Sequence, residues 1–343
     1  GIIVQGPSTI TGTPDYVTYN INGLSGNVSV FSTKQLYLSY YGSSGAATYG
    51  GYYSGFTFRP EISFDRLDVT ADNCIPNINL GINSLSPFDT YQWYFNDVAI
   101  SGATNATYLP TEPGYYYLSA TISDCGTTLI SDKIPVSQCP TDLDADGTPD
   151  DIDLDNDNDG IANCTESLGN QNINLSNPIS GNISLGTYAN SFTAATSTEG
   201  TGASPAVPFT GFNDGRFVTE TAPEKGNSTT YTVNFFQPIS IEIKYVDTAN
   251  FNDLFDANTE YRISVSQNKT ITVLNPDGQL LIDTNYEGIF ESNIEEFSSF
   301  EIRFRLNSGV PLQAGSGNFS LRSYLTNFLS ITHINLEDAA SKS

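Results

Sequence analysis

Tyr231-Thr232-Val233-Asn234-Phe235, Ile239-Ser240-Ile241-Glu242-Ile243-Lys244-Tyr245 and Phe300-Glu301-Ile302-Arg303-Phe304-Arg305-Leu306 carry an apolar side chain at every second residue. That period puts all the apolar groups on one face of an extended chain and all the polar ones on the other. Tyr261-Arg262-Ile263-Ser264-Val265 and Thr270-Ile271-Thr272-Val273 repeat it, and Asn, Asp, Gly or Pro bounds each run. No segment sustains a helical period of 3.6. The last half of the chain, 167–343, is therefore expected to be a jelly-roll or related β-sandwich.

Residues 71–138 form a second unit. It holds the chain's single Trp in Tyr91-Gln92-Trp93-Tyr94-Phe95, a turn at Asn96-Asp97, and the run Gly114-Tyr115-Tyr116-Tyr117-Leu118-Ser119-Ala120. A strand tryptophan between two cysteines is the signature of an immunoglobulin-like sandwich, with the indole in the core. Residues 1–70 alternate as well, with a Gly- and Tyr-rich stretch at 36–58, and read as a β-sandwich module cut short upstream. Their aromatic cluster suits either strand packing or the faces of sugars. The fold class is all-β, with tandem β-sandwich domains joined by a loop-rich cassette at 139–166.

That cassette explains the charge. The 343 residues carry 38 Asp and Glu against 13 Lys and Arg, a formal charge of −25, yet only 15% of residues are charged. Ten of the acids fall in the 25 residues from Asp142 to Glu166, with no Lys, Arg or His among them. Such crowding calls for a counter-ion, and the alternative is a solvated acidic linker. The spacing favours an ion. Calcium loops of the D-x-[DN]-x-[DN]-G type use positions 1, 3 and 5 through side chains, 7 through its carbonyl, 9 and 12. The first loop places Asp142, Asp144 and Asp146 at 1, 3 and 5, Gly147 at 6, Thr148 at 7, Asp150 at 9 and Asp153 at 12. The second places Asp155, Asp157 and Asp159, then Gly160, Ile161, Asn163 and Glu166. Two Ca²⁺ ions are expected here, ordering the linker between the flanking sandwiches. Asp151 has no slot in this register.

Four cysteines, Cys74, Cys125, Cys139 and Cys164, fit disulfides in an oxidising, extracellular setting better than a zinc site. Three pairings exist, and order along the chain favours Cys74–Cys125 and Cys139–Cys164. No stretch reaches the roughly 20 apolar residues needed to cross a bilayer, so membrane insertion is not expected. The opening Gly1-Ile2-Ile3-Val4 lacks a basic region and apolar core, and reads as the start of a mature or trimmed secreted chain. The acidic balance argues against nucleic acid. The single histidine, His333, sits in an alternating run that assigns it a structural role, and no catalytic triad can be assembled. A non-enzymatic protein is expected.

Several of these stretches resemble known families. Back-to-back acidic loops without flanking helices, closed by cysteines, resemble thrombospondin type 3 repeats over 139–166. The resemblance implies that the acids named, with Asn163 and the Thr148 and Ile161 carbonyls, ligate structural calcium. The segment Tyr91–Tyr116 is similar to immunoglobulin-like modules of secreted Bacteroidetes proteins, and Phe31–Phe56 to a module found upstream of them. The order resembles a secreted, gliding-associated surface adhesin exported by type IX secretion. That implies surface glycans or other proteins as partners, self-association, or contact with outer-membrane secretion or motility components. No sorting domain of that class is recognisable in the ending Glu337–Ser343. The polar loop with Asp247, Asn252, Asp253 and Asp256, followed by Glu260, is similar to loops of bacterial lectin-like sandwiches and is a candidate ligand or extra calcium site. Thr248, in Asp247-Thr248-Ala249, fits a Bacteroidetes O-glycosylation pattern. The alternative function is a carbohydrate-binding ancillary region of a secreted enzyme.

Overall fold

The computed structural model describes residues 3–11, 13–24, 36–44, 47–55, 61–66, 74–83, 88–123, 126–166, 170–244, 258–310 and 319–341. It is nearly all β, and its one α-helix among the described residues is a single turn, α1 (Asn163–Glu166). Two compact units divide the chain, Gly1–Phe58 and Arg59–Ser343.

The first unit contains two antiparallel hairpins. One pairs β1 (Ile3–Ile10) with β2 (Thr13–Asn22), and the other pairs β3 (Leu36–Ser44) with β4 (Ala47–Gly55). Tyr41 and Tyr52 on the second hairpin are 91% and 87% exposed, and Tyr37 and Tyr40 are exposed too. These rings face solvent and do not build a core.

The second unit starts earlier than the sequence suggests. Strand β5 (Glu61–Arg66) pairs antiparallel with β6 (Ile78–Asn83), so it belongs to the sandwich around Trp93 and not to the module before it. The remaining strands of that sandwich are β7 (Thr90–Phe95), β8 (Val98–Ala99), β9 (Thr107–Tyr108), β10 (Gly114–Ile122), β11 (Thr127–Ile130) and β12 (Ile134–Val136). Strands β5, β6 and β9 form one sheet, and β11, β10, β7, β8 and β12 the other. Trp93 is fully buried between them, stacked on Tyr108 at 6.0 Å, with its indole N–H donating to the Asn105 carbonyl at 2.9 Å. Burying an indole demands that partner.

The C-terminal sandwich comprises β13 (Ser180–Leu185), β14 (Tyr188–Glu199), β15 (Phe209–Gly211), β16 (Phe217–Thr219), β17 (Ser228–Lys244), β18 (Thr259–Val265), β19 (Ile271–Leu274), β20 (Leu280–Ile282), β21 (Glu296–Ser299), β22 (Glu301–Leu306) and β23 (Ser320–Asn335). Its main path runs β13-β14-β17-β23-β18-β22-β20. The two alternating runs prove, over 231–235 and 239–244, to be one long strand, β17. Its pairing with β23 continues through register shifts between Asn234 and Ile241, around Pro238, which has no N–H to donate. The first part of β23 also pairs with β19, and its last part with β18. A long strand that changes partners through a bulge wraps around its own core. Tyr231, Val233, Ile263, Ile302, Phe304, Leu321 and Ile331 fill that core.

The Trp93 and C-terminal sandwiches touch directly. Ser137 Oγ lies 2.8 Å from Ser299 Oγ and accepts the Phe300 N–H at 2.6 Å, both buried. Tyr115 donates to Glu301 Oε2 at 2.6 Å and meets Phe300 edge-on at 5.1 Å. Tyr286, from the C-terminal sandwich, joins the core around Trp93. The cassette is therefore not the sole link between the two modules, as a simple linker would be.

Candidate metal centre

Each half of the cassette folds the same way, thirteen residues apart. The position-nine N–H donates to the carbonyl just before the loop: Asp150 to Thr141 at 2.8 Å, and Asn163 to Leu154 at 2.8 Å. The position-six glycine N–H donates to the position-one carboxylate: Gly147 to Asp142 at 3.0 Å, and Gly160 to Asp155 at 2.8 Å. The position-seven N–H donates to the position-five carboxylate: Thr148 to Asp146 at 2.7 Å, and Ile161 to Asp159 at 2.8 Å. Positions four and six take left-handed backbone in both, with φ of 60° and 97° at Ala145 and Gly147, and 54° and 88° at Asn158 and Gly160. Glycine at six removes the Cβ cost of that conformation.

This folding turns the carboxylates inward. One oxygen from each of Asp142, Asp144 and Asp146 lies within 4.8 Å of the others, and the same holds for Asp155, Asp157 and Asp159. Asp144 Oδ2 and Asp155 Oδ1 are buried without any hydrogen-bond partner. A buried carboxylate oxygen with no donor is costly. The converging groups are all oxygens, which suits a hard cation and not zinc or copper.

The electrostatics agree with crowding of like charges. The Asp146 N–H draws the Asp144 carboxyl down, but burial and the charges around it, Asp153 included, outweigh that and raise it. Burial raises Glu166, helped by Asp157, Asp159 and Asp155. Asp153 and Glu166, the two position-twelve acids, thus feel the charges of their own loops, while neither joins the clusters of three carboxylates. Asp146 is held low by the backbone and side chain of Thr148.

Position nine behaves differently from a ligand. Asp150 is 7% exposed, and its carboxylate accepts the Leu143 N–H at 2.8 Å and the Thr141 hydroxyl at 2.5 Å. Asn163 repeats this: its Oδ1 accepts the Asn156 N–H at 3.0 Å, and its Nδ2 donates to the Asp153 carbonyl at 3.0 Å and to Asn156 Oδ1 at 2.6 Å. Both side chains clasp their loops shut. Asp151, which the spacing left without a role, accepts the Thr272 hydroxyl and fastens the cassette to the C-terminal sandwich. Burial pushes its carboxyl up to about 6.

The cysteine pairing differs from the expected one. Cys74 is bonded to Cys139, and Cys164 is a free, exposed thiol, so neither Cys74–Cys125 nor Cys139–Cys164 forms. Cys125 lies outside the described residues. The cause is a long-range parallel bridge. Ile75 N–H donates to the Ser137 carbonyl and Cys139 N–H to the Ile75 carbonyl, which sets the Cys74 and Cys139 Cα atoms 4.8 Å apart. That separation falls in the range a disulfide spans.

Asp247, Thr248, Asn252, Asp253 and Asp256 also lie outside the described residues. Glu260 is not a loop ligand: it is 6% exposed in β18 and paired with Arg262 at 2.8 Å and Arg305 at 2.9 Å. His333 is fully buried among hydroxyls, 2.8 Å from Thr219 Oγ1 and 3.0 Å from Ser341 Oγ. Among the described residues, no helix is long and apolar enough to cross a membrane. Compared with protein-family models and with curated proteins, the chain finds no match.

Proposed function

We propose that this chain is a non-catalytic, calcium-stabilised, secreted surface protein, an adhesin or filament component, with the C-terminal sandwich as its binding domain. The observation that carries the calcium part is the repetition of one loop geometry, each copy gathering three Asp carboxylates. In this reading two Ca²⁺ ions reduce the cassette's ten negative charges to six and brace it against β19 through Asp151. Extracellular modules of this kind work at Kd values of about 10⁻⁴–10⁻³ M, matched to calcium outside cells. The adhesive part rests on modular design, with stacked sandwiches presenting a terminal surface.

The test uses the whole chain with and without millimolar calcium. Calcium-dependent self-association or attachment to surfaces, with no response on a glycan array, is the expected result. Selective binding to one polysaccharide instead favours the second reading, the ancillary carbohydrate-binding region of a secreted enzyme. The exposed tyrosines of the β3–β4 hairpin give that second reading its footing, since flat rings stack on sugar faces. Neither attachment nor glycan binding would leave a spacer and defeat both.

A further inference from the structure

The segment Asp283-Thr284-Asn285-Tyr286-Glu287-Gly288-Ile289-Phe290-Glu291, between β20 and β21, repeats most of the hydrogen bonds of the two cassette loops, without the bond from position seven to the position-five carboxylate and without their cluster of three carboxylates. Numbered from Asp283, position nine is Glu291. Its N–H donates to the Ile282 carbonyl at 2.9 Å, the bond that Asp150 and Asn163 make. Its carboxylate accepts the Thr284 N–H at 3.0 Å, as Asp150 accepts Leu143 and Asn163 accepts Asn156. Gly288 N–H, at position six, donates to Asp283 Oδ2 at 3.0 Å. Glu287 N–H donates to Asn285 Oδ1 at 3.3 Å, as Asp146 does to Asp144. Tyr286 and Gly288, at four and six, have φ of 63° and 78°, the left-handed pair seen in both cassette loops.

Geometry alone names no ligand, but Asp283 adds a separate observation. The residue is 1% exposed, and its Oδ1 is buried without a hydrogen-bond partner. Asp155 in the second cassette loop shows the same division, one oxygen on the glycine N–H and the other orphaned. The charge of Arg303 acts on Asp283, but its guanidinium donates to Glu301 at 2.7 Å and lies over the Tyr286 ring at 5.0 Å, and Oδ1 keeps no hydrogen-bond donor. A carboxylate oxygen this buried is stable only beside a positive partner.

We propose that the loop Asp283–Glu291 is a third site for a hard divalent cation, calcium by its oxygen chemistry, held by Asp283, Asn285, Glu287 and the Ile289 carbonyl. Position twelve is Ile294 and supplies no carboxylate, so this site binds more weakly than the cassette loops. Its placement gives it a task. Tyr286 is the inner residue of the loop, buried in the core around Trp93, and its hydroxyl donates to the Glu301 carbonyl at 2.8 Å and lies 2.6 Å from Ser299 Oγ. An ion here braces the peg that joins the two sandwiches. The inference takes from the cassette reading only the expectation that such a loop accepts a hard cation.

The test is a terbium titration of the whole calcium-free chain, excited through tyrosine, beside calcium counting by equilibrium dialysis. Residues 141–166 contain no aromatic side chain, whereas the third loop carries Tyr286 and Phe290. Wild type should bind three calcium ions and give sensitised terbium emission. Asp283→Asn should lose one ion and most of that emission. Asn285→Ala with Glu287→Gln, which leaves the buried Asp283 untouched, should weaken emission titration by about tenfold or more. Asp142→Asn with Asp155→Asn should cost two ions yet keep the emission. Two ions in wild type, or emission unaltered in both third-loop variants, overturns the proposal even with the cassette intact. Three ions with no loss in the cassette variant would sink the cassette reading alone.

Discussion

Asp150 offers a sharp distinction between a ligand and a clasp. Its carboxylate accepts Leu143 N–H and the Thr141 hydroxyl. Both bonds are part-buried, and leaving the Leu143 N–H and the Thr141 hydroxyl without their acceptor costs about 1–3 kcal/mol. Because the cation binds only the closed loop, Asp150→Ala should weaken the first site by the same free energy, roughly 5- to 150-fold. Asp150→Asn should be nearly harmless, since Asn163 does the equivalent work thirteen residues later with an amide. Calorimetric titration of calcium into the two variants reads this directly. The second loop should keep its affinity in both. If Asp150→Asn were as damaging as Asp150→Ala, the charge would matter and position nine would be a ligand after all.

Four further outcomes follow from the same contacts. Burial alone would raise Glu260, but hydrogen bonds and charge from Arg305 and Arg262 outweigh it and hold it below the usual carboxylate range. Its stabilisation is therefore present above the unfolded pKa of about 4.3 and is lost as pH falls through the depressed folded value. Acid-unfolding curves should show Glu260→Gln destabilised at pH 7 by about 1–3 kcal/mol, with the gap to wild type closing below pH 4. Peptide mapping of the non-reduced chain should recover Cys74 joined to Cys139 with Cys164 alkylated, and Cys74→Ala should cost about 2–5 kcal/mol. Finding Cys139 joined to Cys164 would contradict the fold around β12. Tyr286→Ala should speed amide exchange at both Ser137 and Phe300, and unchanged protection would mean the sandwiches do not share a core. Chelation should lower stability by about 1.4 kcal/mol for each site that had been held at ten times its Kd.

The strands were the readable part, because a two-residue period survives wherever one face is buried. Tyr231, Val233, Ile302 and Phe304 all point inward as their alternation requires. The cassette was legible for another reason: its carboxylates recur at fixed spacing around a glycine that the backbone needs. What the sequence concealed was set by distant partners. Cys74 meets Cys139 through the Ile75–Gln138 bridge, across 65 residues, and modular order carries no trace of that. Residues 61–66 look like any alternating run until β6 is seen beside them. The loop at Asp283 hid among strands because Asn and Glu stand where the cassette has Asp, Tyr286 and Ile289 interrupt the polarity, and position twelve is apolar. A D-x-N-x-E-G scan would have found it. Asp151 fell outside the loop register because its partner, Thr272, lies in another module.

Whether the two halves of 142–166 are cation sites is decided by calcium titration of the chelator-treated whole chain. Wild type should release heat on binding at submillimolar to millimolar calcium, and Asp142→Asn with Asp155→Asn should bind two fewer ions per chain. Equal stoichiometry in the two proteins, or no calcium bound by wild type at several millimolar, would contradict it.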